Sequence, residues 1–412
     1  MPFINFCLRI NQPYPLRTYS PLDVEQTHCY IDEEATINRL DELSAISLLA
    51  VLRLLKKLIT QHKNKFNISF SVSGIMLEQL EKFRPDVLNL LQKMVKTGNV
   101  EILGETFNNS LSSLYSEEEF KRQVSEHKNI VQQLFQTTPV VFRNTELIHN
   151  NHIAALVAEM GFKGILCEAV DRMLNGRTRN NVFYAPLKNP LPLLLRNHRM
   201  SDDIAFHFDN KDWNEYPLTA EKFAGWVHSH EKDADVINLF FDIQTFGMYK
   251  TAATGIFDFL SHLPGKILEN ENWVFAKPSQ VISQCSANQV YDVKETISWE
   301  DKTEDCCVWC KNTMQHNMLN KIYKMEKLVK MSRDENILKT WERLQAADYF
   351  YYMSDRKRKT GDIYQVMNPY PSASDAYRNF LNIITDFEIQ VIRKGLSEFK
   401  PLYPTLSQTI LY

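Results

Sequence analysis

Glu146 and Asp242 are the residues of this chain best placed to do chemistry as a pair. Each follows an unusually apolar run, "VVFRNTE" and "VINLFFD", and each has a neutral amide nearby, Asn144 and Gln244. The run Val236 to Phe241 reads as a strand buried on both faces, with an acid where the strand should end. Two carboxylates flanking one bond are what glycoside hydrolysis needs. One must be ionised to attack the anomeric carbon, and the other must keep a proton for the leaving oxygen. A retaining enzyme sets them about 5–5.5 Å apart, a spacing that neighbouring strand tips can supply. The competing reading makes these carboxylates helix caps or partners of Arg143 or Arg199.

Such a pair has to be positioned by the surrounding elements. Strand-like runs recur at 3–10, 66–74, 99–107, 139–146, 162–169, 192–200 and 235–242. Helical patterns at 44–62, 76–98, 116–135 and 151–161 alternate with them, the second broken near Pro85 and the third opened by Ser116 and Glu119. Alternating β and α units with apolar strands imply a parallel sheet covered by helices. Seven such strands suit a closed or nearly closed barrel. No glycine-rich phosphate turn follows the first strand, and glycine is scarce at 12 residues, which argues against dinucleotide or P-loop binding. After about residue 285 a long polar connection leads to helical patterns near 303–331, 334–354 and 373–398. The expected organisation is therefore an α/β barrel over 1–285 and a helical domain over 286–412.

In a parallel barrel the site forms at the C-terminal ends of the strands. Besides the pair, that rule collects Asn11, Gln12, Glu105, Glu168, Asp202 and Asp203. The aromatics Trp213, Tyr216, Trp226 and Trp299 could stack on sugar rings or fill the core, and Trp213 is the one expected to line a cleft. His28 is the histidine expected to contact substrate. His149 and His152 suit a helix start, and the basic stretch 355–362 suits a solvated turn. Cys307 and Cys310 form a single C-x-x-C on a helical pattern. A zinc site needs four ligands, so packing is the expected role and no metal is called for.

A formal net charge of -3 gives no reason to expect nucleic acid or an anionic membrane as partner. The start "MPFINFCLRINQP" reads as a first strand, and no apolar run approaches the ~18 residues of a membrane span. Seven scattered cysteines suggest free thiols in a reducing, cytoplasmic setting.

From end to end the chain resembles glycoside hydrolase family 57, the α-amylase-like group. The resemblance is carried by "INQPYPLRTYS", "FSVSGIMLEQLEKF", "EILGETFNNSLSSLYSEEEF", "VVFRNTELIHN", "VINLFFDIQTFG" and "RLQAADYFYYM". It implies an incomplete parallel (β/α)7 barrel followed by a C-terminal α-helical domain. It also implies cleavage of α-1,4-glucans such as glycogen or maltodextrin with retention, without cofactor, and with transglycosylation as a variant outcome. Glu146 aligns with the family's nucleophile and Asp242 with its acid/base, while Glu105 and Asp348 fall in the second and fifth motifs.

The departures are as informative. The family has histidine at Asn11, usually at Asn109, and near Lys250; it commonly has glutamate at Gln244. Replacing a charged hydrogen-bond donor with a neutral one costs around 1 kcal/mol at each position. These losses leave open a degenerate, weakly active member that binds α-glucan or a glycogen-metabolism partner. Losing the glutamate at Gln244 is expected to let Asp242 ionise more readily, because a like charge two residues along the strand is gone.

Overall fold

The computed structural model describes residues 1–299, 307–355 and 368–399. The first strand, β1 (Phe3–Ile10), is buried along its whole length. It lies parallel to β2 (Ile68–Val72), and β2 to β3 (Val100–Ile102). A second sheet contains β4 (Val141–Arg143), β5 (Gly164–Cys167), β6 (Val182–Tyr184) and β7 (Pro192–Leu195). β8 (Val236–Asp242) returns to the other edge of β1, in register from Phe3 with Val236 to Arg9 with Asp242.

Single parallel bridges join the two sheets, Gly104 with Phe142 on one side and Arg196 with Asn238 on the other. The ring therefore runs β1, β2, β3, β4, β5, β7, β8 and back to β1, the seven strands read from the sequence. Closure is incomplete at β7, where antiparallel β6 takes the same edge that the Arg196 bridge uses further along. Three strands were not anticipated: β6, β9 (Val274–Phe275), which pairs with Phe3 and Ile4 of β1, and β10 (Gln289–Val290), which pairs with β6. β10 lies past the boundary at 285, in the stretch read as polar connection, so the sheet continues beyond it.

Side chains alternate along each strand, and the barrel uses both faces. Outward residues Ile4, Phe6, Leu8 and Ile10 of β1 pack with Ile237, Leu239 and Phe241 of β8 and with the covering helices. Inward, Phe3 and Val236 form one layer, Asn5 and Asn238 the next, then Cys7 and Phe240, and at the top Arg9 and Asp242. β2 turns Ser69 and Ser71 toward the same interior, where they bond to Asn5 and Glu105, and Ser73 just past its end bonds to Asn11. The interior is thus polar near the strand tips and apolar below, where Cys7, Leu166, Leu194 and Phe240 cluster.

The helices follow local signals. Pro85 separates Gly74–Phe83 from Pro85–Val95. Ser116 caps Glu117–Phe135 through the Glu119 N–H, but the Glu119 carboxylate turns to Arg122 and Gln345 instead of closing a capping box. The pattern expected at 44–62 is the second part of a longer run, Glu33–Leu43, a π turn over Ser44–Leu48 and Leu49–His62. Helices Thr313–Lys324, Glu326–Met331, Glu335–Arg343, Ala347–Tyr352 and Ala373–Phe399 follow the barrel, more finely divided than the three expected patterns. Cys307–Cys310 is a short helix that includes the buried Trp309. Among the described residues no group of His, Cys, Asp or Glu is arranged to hold a metal ion, and no helix is long and apolar enough to cross a membrane. Cys7, Cys29, Cys167 and Cys285 are free thiols. Residues 356–362 of the basic stretch lie outside the described residues.

Candidate active site

Arg9 organises the top of the barrel. Its Nη2 donates to Glu146 Oε1 at 2.6 Å and its Nη1 to Asp242 Oδ1 at 3.2 Å. One planar guanidinium fork spans the two acids, so those two oxygens lie within roughly 8 Å of each other. The Arg9 and Glu146 side chains are 3% and 1% exposed, and that of Asp242 is 12% exposed, so Asp242 is the more open of the two acids.

Glu146 does not sit on the strand. β4 ends at Arg143, and Glu146 is held in a turn with φ 53° and ψ 29°, followed by Leu147 at φ 51°. Two successive left-handed residues, neither of them glycine, store backbone strain of a kind found at functional sites. Ser298 donates to the Glu146 carbonyl at 3.0 Å, and the Trp299 indole Nε1 donates to Glu146 Oε2 at 2.9 Å.

Asp242 ends β8 as the inward residue of the top layer. Burial raises its pKa and the nearby Glu146 charge adds to the rise, while Arg9 and Arg143 oppose it. The expected effect of Gln244 takes a different form. The strand stops at Asp242 and Ile243–Thr245 is a 3-10 turn, so Gln244 does not share a strand face with the acid. Its side-chain amide donates to the Asn11 carbonyl at 3.3 Å. Lys250 is committed to Asp209 and the Phe206 carbonyl. The turn closes at Gly247, with φ 109°, where any Cβ would fall 2.3 Å from the Ile46 carbonyl oxygen.

A third acid completes the group. Asp348, on helix Ala347–Tyr352, accepts from Asn109 Nδ2 at 3.2 Å, and burial pushes its carboxyl up to about 6. Arg9 and Glu146 both act on it electrostatically, in opposite directions. Asn109 takes the left-handed conformation, φ 49°, that an asparagine tolerates well. Asn11 accepts from Ser73, while Gln12 donates to Gln79 and to the Thr36 carbonyl. Gln12 Oε1, Asn109 Oδ1 and Gln244 Oε1 are buried acceptors that receive no hydrogen bond among the described residues. Buried polar atoms are nearly always paired, so three such oxygens from residues of these strand-end loops stand out.

Other expected residues have other employment. Glu105 accepts from Ser71 at 2.8 Å and from Arg143 at 3.3 Å, inside the barrel. Glu168 and Asp202 both accept from Arg196. Asp203 pairs with His207 at 3.1 Å, and Trp213 stacks on His207 and packs edge-on against Trp226. His28 Nδ1 lies 2.8 Å from Asp386 on the last helix, so it ties an N-terminal loop to that helix. His149 is wholly buried, and burial lowers its pKa to about 4.

Sequence reasoning missed Arg9 and the contact of Trp299 with Glu146. The signal for Arg9 was present: in "FINFCLRI" every second residue, Phe3, Asn5, Cys7 and Arg9, points inward. A cation on the last inward position of a buried strand needs an anionic partner.

Comparison with known proteins shows the family and the fold. A relative from Methanocaldococcus jannaschii named "Putative alpha-amylase" is 33% identical over 404 residues, covering 94% of this chain and 84% of its own. The fold is similar to that of a GH57 branching enzyme from Thermococcus kodakaraensis crystallised with glucose, with a TM-score of 0.68 at 14% identity, covering 97% of this chain and 94% of that one. It is also similar to the 4-alpha-glucanotransferase from Thermococcus litoralis, with a TM-score of 0.67 at 15% identity over 94% of this chain, which spans 59% of that enzyme. The Glycosyl hydrolase family 57 pattern matches residues 5–294, and the chain belongs to that family.

Proposed function

We propose that this protein is a retaining α-1,4-glucan hydrolase acting on glycogen or maltodextrin, with transfer to a second glucan as a competing outcome. The observation that carries the proposal is the Arg9 fork, which bonds one oxygen of Glu146 and one of Asp242 across a gap compatible with a glycosidic bond. The names of the relatives, an alpha-amylase, a branching enzyme and a glucanotransferase, point to the same substrate class.

In this reading Asp242, its pKa raised by burial, protonates the glycosidic oxygen as its bond to the anomeric carbon breaks. Glu146 forms a bond to that carbon from the opposite face. Asp242, now ionised, takes a proton from water or from a sugar hydroxyl, whose oxygen displaces Glu146 with a second inversion. Arg9, bonded to Glu146 Oε1 at 2.6 Å, favours the ionised form of Glu146. Asn11, Gln12, Asn109, Gln244 and Asp348 supply hydrogen bonds to sugar hydroxyls, three of them through the unfilled acceptors. The free thiols suit a reducing, cytoplasmic setting.

One observation favours a second reading, a weakly active or inactive member that binds α-glucan. Both oxygens of Glu146 already accept hydrogen bonds, and its side chain is 1% exposed. Incubation with maltoheptaose and with glycogen, beside a Glu146→Gln control, separates the readings. Products formed by the native protein and not by the control support the hydrolase. Products without a net gain in reducing ends indicate transfer. Equal product from both proteins rules out a Glu146 mechanism, and bound but uncleaved maltoheptaose supports the second reading.

A further inference from the structure

We infer that Trp299 is a positioning residue for Glu146, delivered by a strap of chain over 291–299 that is fastened to the loop carrying the acid. The inference rests on the proposed role of Glu146 as nucleophile. The fastening is continuous. Val293 and Asn151 exchange hydrogen bonds, the Asn151 amide donates to Asp292, and the Asn150 amide donates to Thr296. His149 and Ile297 exchange backbone bonds as an antiparallel bridge. Ser298 reaches the Glu146 carbonyl, and Trp299 reaches the carboxylate itself.

The indole is itself held from two sides. The Arg196 guanidinium lies 5.2 Å from its ring centroid, and Phe240 packs edge-on at 5.4 Å. Arg196 in turn is fixed by Glu168 and Asp202. With its ring gripped by the protein, the group that Trp299 offers the site is its N–H. That N–H sits on Oε2, while Arg9, which also reaches Asp242, marks Oε1 as the oxygen on the Asp242 side. Glu146 therefore attacks through Oε1 and keeps Oε2 on the indole, where it becomes the carbonyl oxygen of the glycosyl ester. The left-handed backbone at Glu146 is held in place by the same strap.

Trp299→Phe keeps the ring and removes the donor. With maltoheptaose, kcat should fall about tenfold to a hundredfold, the loss expected when the attacking carboxylate is no longer held in its reactive orientation. KM should change little, and the acid limb of the pH–rate profile should move to higher pH. In the native protein, the Trp299 indole N–H resonance, identified by its loss in Trp299→Phe, should shift with pH, and that shift should vanish in Glu146→Gln. A variant with native kcat and pH profile, or an indole signal indifferent to Glu146→Gln, overturns the inference while leaving the Glu146 mechanism standing. If Trp299→Phe does not fold, the indole resonance is assigned by through-bond correlation to the Trp299 backbone, and its pH response in native and Glu146→Gln proteins decides. Absence of Glu146-dependent turnover in the native protein sinks the mechanism and this inference together.

Discussion

Arg9 and Asp242 are register partners on adjacent parallel strands, and their side chains meet at 3.2 Å on the inward face of the barrel. The same guanidinium crosses to Glu146 on the loop after β4 at 2.6 Å. The relationship between the two acids is thus set by a cation from a third strand. This has separable consequences for stability and for catalysis.

Arg9→Met should destabilise the protein by about 3–5 kcal/mol, because it strands two buried carboxylates without their shared partner. Denaturant unfolding measures the loss. The double variant Arg9→Met with Asp242→Asn should recover part of it. Where activity survives, the alkaline limb of the pH–rate profile should move to higher pH, since Arg9 opposes the raised pKa of Asp242.

Asp348 gives a stability test independent of turnover. Its folded pKa, about 6, is above the ordinary value of 3.8, so the folded state binds the proton more tightly than the unfolded state does. Stability from this group is present below about pH 4 and is lost as pH rises to 6. Asp348→Asn cannot titrate, so its stability relative to the native protein should increase by about 2 kcal/mol between pH 4 and pH 7. Unfolding free energies at those two pH values check both sign and size.

Gly247→Ala should cost on the order of 2–3 kcal/mol. The position has φ 109°, and the new Cβ would meet the Ile46 carbonyl oxygen at 2.3 Å. Thermal unfolding should show the drop, and reduced turnover should accompany it because this turn follows Asp242.

His28→Ala should lower stability by about 1 kcal/mol and leave turnover unchanged. Its partner is Asp386 on the last helix, at 2.8 Å, so its contribution is to anchoring the N-terminal loop. Parallel measurement of melting and of maltoheptaose cleavage separates the two effects.

The barrel was legible because its seven principal strands lie in largely apolar stretches that alternate with helical patterns, and the parallel order puts every strand tip at one end. The short strands β6, β9 and β10 carry little pattern of their own; β9 and β10 are two residues each and exist only through pairing with neighbours. Glu146 and Asp242 were legible from their places after apolar runs. Arg9 was hidden because a strand buried on both faces masks its period of two. The bond from Trp299 to Glu146 crosses 153 positions of sequence, and no local pattern announces a contact of that range. The pairing of His28 with Asp386 likewise spans the chain, from an N-terminal loop to the last helix, and residue type alone gave no sign of it.

The pairing of Glu146 as nucleophile with Asp242 as acid is tested most directly by trapping the covalent intermediate. The protein is incubated with a 5-fluoro-α-maltosyl fluoride, digested and analysed by peptide mass spectrometry. The account predicts one added fluoro-glycosyl mass, on the peptide containing Glu146, absent from Glu146→Gln. No adduct under conditions of measured turnover, or an adduct on a different carboxylate, would contradict it.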